Sequence, residues 1–316
     1  MKILVTSRSF GSGKNDYPAQ LAALGHRVVS GWPNHDLEAL TADLADTDAW
    51  IAGTGPVTAA HLDRAPGLKV IARYGVGVEA VELDAAAARG IVVTNTPGAN
   101  SGAVADHTVA LLLAAARQVA EGDRRVRRGD WRPIRGRELG AMTIGIWGFG
   151  RIGQGVARRL SGFGPRVVAC DPYLDLQRAE SLGVEPGSPE DLAGCDAVSL
   201  NAPGGSALVT REWLQGVRPG MFLVNSARAD LVDEVALAEA LGSGLIAGYA
   251  ADSVAGDTAG HDSPLLADDL APRVTITPHV GAQTVEAIDE MGRLAVENAL
   301  AVLDGHQPPN AVGWGR

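Results

Sequence analysis

Between Met142 and Asp171 the chain reads MTIGIWGFGRIGQGVARRLSGFGPRVVACD, and no other stretch restricts the fold so narrowly. Its first six residues are an apolar, strand-like run, and Gly148-Phe149-Gly150-Arg151-Ile152-Gly153 follows at once. A helical pattern then runs from Gln154 to about Phe163, and a second apolar run, Val167 to Cys170, ends on Asp171. Strand, glycine turn, helix, strand and acid in that order are the parts of a βαβ dinucleotide unit. Gly148 allows the tight turn, Gly150 lets backbone approach a pyrophosphate, and Gly153 lets the helix lie close on the strand. The N–H groups and dipole at the helix start, where Arg151 and Ile152 stand, attract phosphate. Asp171 lies eighteen residues past Gly153, where a carboxylate accepts from both ribose hydroxyls and repels a 2′-phosphate. No arginine in Pro172-Tyr173-Leu174 offsets that charge, so the expected cofactor is NAD rather than NADP.

With 316 residues the chain is long enough for two domains with cores of their own. A formal net charge of −10 argues against nucleic acid as a partner. Cys170 and Cys195 each border an apolar run and read as buried thiols rather than a disulfide. No CxxC or His-x-x-x-His pair suggests a metal. The opening MKILVTSRSF is too short in apolar length for a signal peptide and reads as a first strand. The apolar stretch 103–116 is interrupted by Asp106-His107 and is too short to span a membrane. A cytoplasmic protein is expected.

Residues 1–97 alternate strand patterns (2–6, 27–30, 49–52, 68–74, 91–94) with helical ones (36–44, 58–64, 83–89). That alternation predicts a parallel sheet with helices on both faces, and Pro97-Gly98 marks a hinge. Ser101 caps a long helix to about 118 whose residues are apolar nearly all round, which predicts a buried helix. Seven arginines crowd residues 124–137 and read as a solvated or subunit-facing arm rather than an anion site. Trp131 within it has two readings, surface packing or reaching a neighbouring subunit. Further strands are expected at 197–201, 222–225, 246–251 and 274–277, and a final helix at 285–303. The ends of those strands carry Asn201-Ala202-Pro203, Ser226-Ala227-Arg228, Asp252 and Pro278-His279-Val280-Gly281. Ligands of open α/β sheets bind outside the carboxyl ends of strands, so these residues are the candidates for chemistry.

Three groups stand out: Arg228, an acid between Asp252 and Asp262, and His279. Arginine offers a planar, bidentate fork for a carboxylate and carbonyl. Histidine gives and takes protons near neutral pH, and a carboxylate fixes its tautomer. Each alone has a structural reading, an ion pair or a turn residue. Together, at the mouth of a nucleotide-binding sheet, they point to hydride transfer on a 2-hydroxy acid.

Four segments carry a specific resemblance: IARYGVGVEAVELDAAAARGIVVTNTPGANSGAVADH (71–107), GIWGFGRIG, LVNSARADLVDEVALAEAL (223–241) and TPHVGAQT (277–284). The chain resembles, end to end, the NAD-dependent D-isomer-specific 2-hydroxyacid dehydrogenase family in its phosphoglycerate-dehydrogenase-like branch. The resemblance implies two doubly wound parallel-sheet α/β domains, a Rossmann nucleotide domain (98–281) inserted in a flavodoxin-like substrate domain (1–97 and 282–316). It implies Arg228 as the substrate-binding arginine and His279 as the acid/base. Gly75, Val76 and Gly77 match the turn whose amides hold the substrate carboxylate, and Asn100 matches a polar residue near the substrate. Asp252 matches the acid facing the nicotinamide carboxamide, Pro203 and Ala227 line the cofactor crevice, and Gly281 begins a second hinge with Ala282. A small anionic 2-oxo or 2-hydroxy acid is the implied substrate, and a homodimer through residues 101–137 the implied assembly.

Departures from the family pattern are informative. The family's histidine partner is a glutamate; counting without gaps lands on Asp257, one methylene shorter. Glu79, Asp106, Asn201 and Ala229 also differ from the usual residues, and WIAGTGPVT lacks the arginine that phosphoglycerate enzymes use for a phosphate. Arg8, at the first strand's end, is either a grip on a second anionic group or an ordinary surface cation. The same scaffold also admits two alternatives: oxidation of a phosphite- or phosphonate-type anion, and a non-catalytic NAD-responsive binding protein.

Overall fold

The computed structural model describes residues 1–256 and 262–313, and the chain divides into two compact units, residues 1–103 with 282 onward, and residues 104–281. The first unit opens with β1 (Lys2–Val5), α1 (Tyr17–Ala23), β2 (Arg27–Ser30), α2 (Leu37–Leu44) and β3 (Ala49–Ala52). It continues through α3 (Ala59–Asp63), β4 (Val70–Arg73), α4 (Leu83–Ala88) and β5 (Val92–Thr94). All five strands pair in parallel in the order β2-β1-β3-β4-β5, the flavodoxin-like arrangement. Successive side chains of a strand point to opposite faces, and the core divides accordingly. Ile3, Val5, Ile51 and Ala72 share one buried cluster, while Leu4, Trp50 and Ile71 join Leu40, Leu44 and Leu62 of the helices in another. Asp16 and Asp36 start α1 and α2 by accepting the amides of Ala19 and Ala39.

Next comes α5 (Ser101–Arg117), and the division between units falls within its first turn. Pro97-Gly98 lies before that division because Ala99 and Ala103 pack against the first unit's core. The helix is buried on one side only: Val104, Ala105, Thr108, Leu111, Leu112 and Ala115 are covered, whereas Asp106, Ala110 and Arg117 are exposed. This corrects the expectation of an all-round buried helix, since apolar composition does not say which residues find a neighbour. Gln118, with a left-handed φ of 52°, breaks the helix before α6 (Val119–Arg127).

The second unit then runs β6 (Thr143–Trp147), α7 (Arg151–Leu160), β7 (Arg166–Cys170), α8 (Leu176–Ser181), β8 (Val184–Pro186), α9 (Pro189–Ala193) and β9 (Ala197–Leu200). After these come α10 (Arg211–Gln215), β10 (Met221–Asn225), α11 (Glu234–Ser243), β11 (Ile246–Ala251) and β12 (Val274–Ile276). Its seven strands are parallel in the order β12-β11-β10-β9-β6-β7-β8. Strand order reverses between β6 and β9, the switch point at which doubly wound sheets take a dinucleotide. The last helix, α12 (Val285–Leu303), returns to the first unit and buries Ala287, Met291, Ala295, Ala299 and Leu303 in its core. Both domains are thus doubly wound parallel α/β sheets. Among the described residues no helix is long and apolar enough to cross a membrane.

Candidate active site

The glycine turn lies at the switch point of the second unit. Gly148 has φ +94°, and a Cβ there would sit 2.6 Å from the carbonyl carbon of Asn201. A Cβ on Gly153 would sit 2.1 Å from the Gly148 carbonyl oxygen. Both glycines are therefore demanded by the protein's own backbone packing. Gly150 is different: nothing lies within 4 Å of a Cβ built on it, and its φ of −70° suits any residue. Packing within the chain does not ask for glycine here, so the open space above it is what a pyrophosphate would use. Gly150 also begins α7 without any side-chain cap, and among the described residues no side-chain acceptor meets the first-turn amides of Arg151, Ile152 and Gly153. The helix starts at Arg151 rather than at Gln154, because apolar periodicity cannot register a first turn made of arginine and glycine.

At the tip of β7, Asp171 is held by two backbone amides. Phe149 N donates to its Oδ2 at 2.6 Å and Tyr173 N to its Oδ1 at 2.8 Å. A carboxylate has about four lone-pair sites, so two remain for hydroxyl donors. Glycine turn, uncapped helix start and fixed carboxylate fit a dinucleotide with unmodified ribose.

Three neighbouring strands of the same sheet, β10, β11 and β12, end in the loops with the other candidates. After β10, the fully buried Asn225 accepts from Ala227 N at 3.0 Å and donates through Nδ2 to the Arg228 carbonyl at 2.7 Å. Those two bonds set the loop from which the Arg228 side chain leaves, and Arg228 Nη1 donates to the Ala227 carbonyl at 3.0 Å. Ser226 in the same loop bonds Thr108 of α5 at 2.6 Å. Ala227 is half-buried and Pro203, after β9, is exposed.

Asp252, at the tip of β11, is 4% exposed and faces donors from its own unit. Its Oδ1 accepts from the Thr277 hydroxyl at 2.5 Å and Val280 N at 2.9 Å, with His107 Nε2 at 3.2 Å; its Oδ2 accepts from Gly281 N at 2.7 Å. Burial pushes this carboxyl up, but the bonds from His107, Thr277, Val280 and Gly281 outweigh burial and hold it below the ordinary aspartate range. The turn thus anchored carries His279, which has φ +55°, a left-handed conformation uncommon for a residue with a Cβ. Gly281 is pinned beneath it, with a Cβ there 2.9 Å from Asp252 Oδ2.

In the first unit, Gly75 has φ +137°, its N–H donates to Thr96 Oγ1 at 3.1 Å and its carbonyl accepts from Thr96 N at 3.0 Å. Asn95 Nδ2 donates to the Val76 carbonyl at 2.8 Å. The Gly75-Val76-Gly77 turn is therefore built on Asn95 and Thr96, and the Gly75 amide is already engaged. Asn100 follows on the same segment, its Oδ1 buried with no donor reaching it among the described residues. At the carboxyl ends of β1 and β3 the same unit has a buried polar hub. Thr6 Oγ1 bonds His35 Nε2 at 2.6 Å, Trp50 Nε1 at 2.9 Å and Gly53 N at 3.2 Å, and His35 Nδ1 meets the Pro56 carbonyl at 3.1 Å. Arg8 beyond it is exposed.

The arginine-rich segment is largely self-neutralised. Arg125 pairs with Glu121, Arg127 with Asp123 and Arg132 with Asp130, each at 2.7 Å, while Arg137 reaches Asp196 at 3.0 Å. A cavity of about 560 Å³ there, lined by Glu121, Arg125, Asp130 and Arg132 among others, is bordered by these pairs. Asp257 lies outside the described residues. Two positions that sequence reasoning passed over are Asn225 and His107. A polar residue closing the apolar run FLVN was a readable signal for Asn225; nothing local marks His107.

Residues 109–281 match the family model described as D-isomer specific 2-hydroxyacid dehydrogenase, NAD binding domain. A D-3-phosphoglycerate dehydrogenase of Mycobacterium tuberculosis is 41% identical over 306 residues, covering 94% of this chain and 57% of that protein. The chain thus spans little more than half the length of that relative. A glyoxylate reductase of Pyrococcus furiosus is 38% identical, covering 79% of this chain and 77% of that protein. Among solved structures, the TT0316 protein of Thermus thermophilus superposes with a TM-score of 0.88 at 38% identity, covering 99% of this chain and 100% of that one. With the domain model spanning more than half its residues and a 38% identical relative covering 79% of it, the chain belongs to the D-isomer-specific 2-hydroxyacid dehydrogenase family.

Proposed function

We propose that the protein is an NAD-dependent oxidoreductase that interconverts a small 2-hydroxy acid and its 2-oxo acid. One observation carries the reading: Arg228 and His279 leave loops after β10 and β12, on the two sides of β11, at the carboxyl edge of the sheet that bears the glycine turn. Gly148, Gly150 and Gly153, with the amides of Arg151 and Ile152, would hold the pyrophosphate, and Asp171 the adenosine ribose. Pro203, Ala227, Asp252 and Gly281 would border the nicotinamide end. When bound, the reduced nicotinamide supplies the hydride. Arg228 fixes the carboxylate and polarises the carbonyl of the 2-oxo acid, and His279 delivers the proton to its oxygen. The amides of Val76 and Gly77 hold the substrate carboxylate, since that of Gly75 already donates to Thr96, and Asn100 adds a polar contact. Asp257 is the acid assigned to orient His279.

Residues 1–97 and 282–316 are read as the substrate domain and 98–281 as the nucleotide domain. A homodimer through 101–137 is supported by exposed apolar side chains on that segment, Val119, Val126 and Trp131. Two thiols outside any disulfide fit a reducing compartment and a cytoplasmic location.

The test is Arg228→Ala assayed with NADH and a panel of glyoxylate, hydroxypyruvate, larger 2-oxo acids and, with NAD, phosphite. Turnover of the preferred 2-oxo acid should fall about a thousandfold while NADH binding stays within a few-fold. Turnover surviving within about tenfold would refute the role of Arg228. Activity on phosphite alone would move the assignment to the other anion.

A further inference from the structure

The turn bearing His279 depends on a side chain 170 residues upstream of Thr277. Thr277 has one hydroxyl proton, and its near acceptor is Asp252 Oδ1 at 2.5 Å. His107 Nε2 lies 2.9 Å from the same hydroxyl oxygen and 3.2 Å from Asp252 Oδ1. With the threonine proton committed to Asp252, the imidazole must be the donor, so Nε2 carries a hydrogen shared between both oxygens. The threonine has a second acceptor in reach, the Ala251 carbonyl at 3.3 Å. His107, by occupying the hydroxyl's lone pair and facing Asp252, keeps the proton directed at the carboxylate. That carboxylate in turn holds the amides of Val280 and Gly281, just past the point where His279 enters the turn at φ +55°. A left-handed non-glycine residue is disfavoured and persists only where its surroundings dictate it.

We propose that His107 is a positioning residue for His279: its Nε2–H locks Thr277 and Asp252 together and thereby fixes the turn that presents the acid/base imidazole. The inference rests on the reading of His279 as the acid/base. A histidine at a half-buried helix position is otherwise simple packing, so the test must separate a donor from a filler. Glutamine places an amide nitrogen near the position of Nε2, whereas leucine fills similar space with no donor.

Hydrogen exchange of the full chain without ligands reads the turn directly. In His107→Leu, exchange of the peptide containing Val280 and Gly281 should accelerate at least about tenfold, and in His107→Gln it should stay near that of the parent. In turnover, His107→Leu should lower kcat about 10- to 100-fold and displace its pH profile. NADH affinity should stay within about threefold, and His107→Gln should recover most of kcat. Thr277→Val, which cuts the link at its centre, should behave like His107→Leu and stands in if that variant fails to fold. Unchanged exchange in His107→Leu and Thr277→Val would overturn the clamp. Faster exchange with kcat and pH profile intact would overturn the positioning role. A parent protein inert toward every 2-oxo acid would instead strike the functional reading, with exchange still deciding the clamp.

Discussion

The two sheets follow one plan, yet they secure their carboxyl edges by opposite means. In the second unit the hub is an ion: buried Asp252 gathers Thr277, His107 and the amides of Val280 and Gly281. In the first unit the hub is neutral. Thr6 accepts from Trp50 and Gly53 and gives its own proton to His35 Nε2, so Nδ1–H of His35 is the donor to Pro56. Burial pushes the His35 pKa down to about 4, which keeps the ring uncharged through the neutral range. Single glycines at these edges also differ in the room around them, although Gly148 and Gly153 of the second unit are as crowded as Gly53 of the first. A Cβ on Gly53 would stand 2.6 Å from the Thr6 carbonyl oxygen and one on Gly55 2.5 Å from the His35 ring, whereas one on Gly150 meets nothing within 4 Å. Both hubs tie several loops at once, but the carboxylate only accepts, whereas the threonine hydroxyl both accepts and donates.

The largest effect should come from removing the ionic hub. Asp252→Ala leaves two backbone amides, a threonine hydroxyl and an imidazole N–H without their buried acceptor. A loss of about 3–5 kcal/mol is expected in urea unfolding, since each buried donor left without an acceptor costs about 1–3 kcal/mol and several lose theirs together. A loss under about 1 kcal/mol would mean the turn is held by something else, and the contrast with the first unit would dissolve.

Acid should separate the two hubs in the other order. The unfolded chain protonates a histidine near pH 6.5, but the folded His35 resists until about pH 4. Stability from this group is therefore complete above pH 6.5 and declines as pH falls toward 4, by about 2–3 kcal/mol at pH 4.5. Asp252, held below the ordinary aspartate value of 3.8, keeps its contribution through that whole window and loses it only at lower pH. Urea midpoints at pH 7 and pH 4.5 should show this loss in the parent and a much flatter dependence in His35→Gln. Equal slopes in the two proteins would remove His35 from the account.

What could be read in the sequence is what is local. Gly148, Gly153 and Asp171 lie within one βαβ unit, and their spacing marks the tight turn and the close helix packing that the two glycines make. The strand tips with Arg228 and His279 were legible for the same reason, because an apolar run announces where it stops. His107 was not, since its partners Thr277 and Asp252 are set by strand order in a sheet built from distant segments. His35 was hidden likewise: its partner Thr6 lies 29 residues away, across a strand pairing. Resemblance assigned the Gly75 amide to a carboxylate, and only the pairing with Thr96 shows that this donor is already engaged. Where a residue's role depends on who arrives beside it, composition and spacing say little.

The smallest change should be the sharpest discriminator of crowded and open glycine positions. Gly53→Ala forces a methyl onto the Thr6 backbone, so about 1–3 kcal/mol of stability should be lost. Gly150→Ala adds the same methyl where the chain has room and the backbone angles permit it, and stability should change by less than about 1 kcal/mol. If the space over Gly150 is the seat of a pyrophosphate, that silent methyl should still weaken NADH binding about tenfold or more, measured by fluorescence titration of the folded variant. Unaltered NADH affinity would show that the cofactor does not approach this backbone, and that the emptiness above Gly150 is only a feature of the surface.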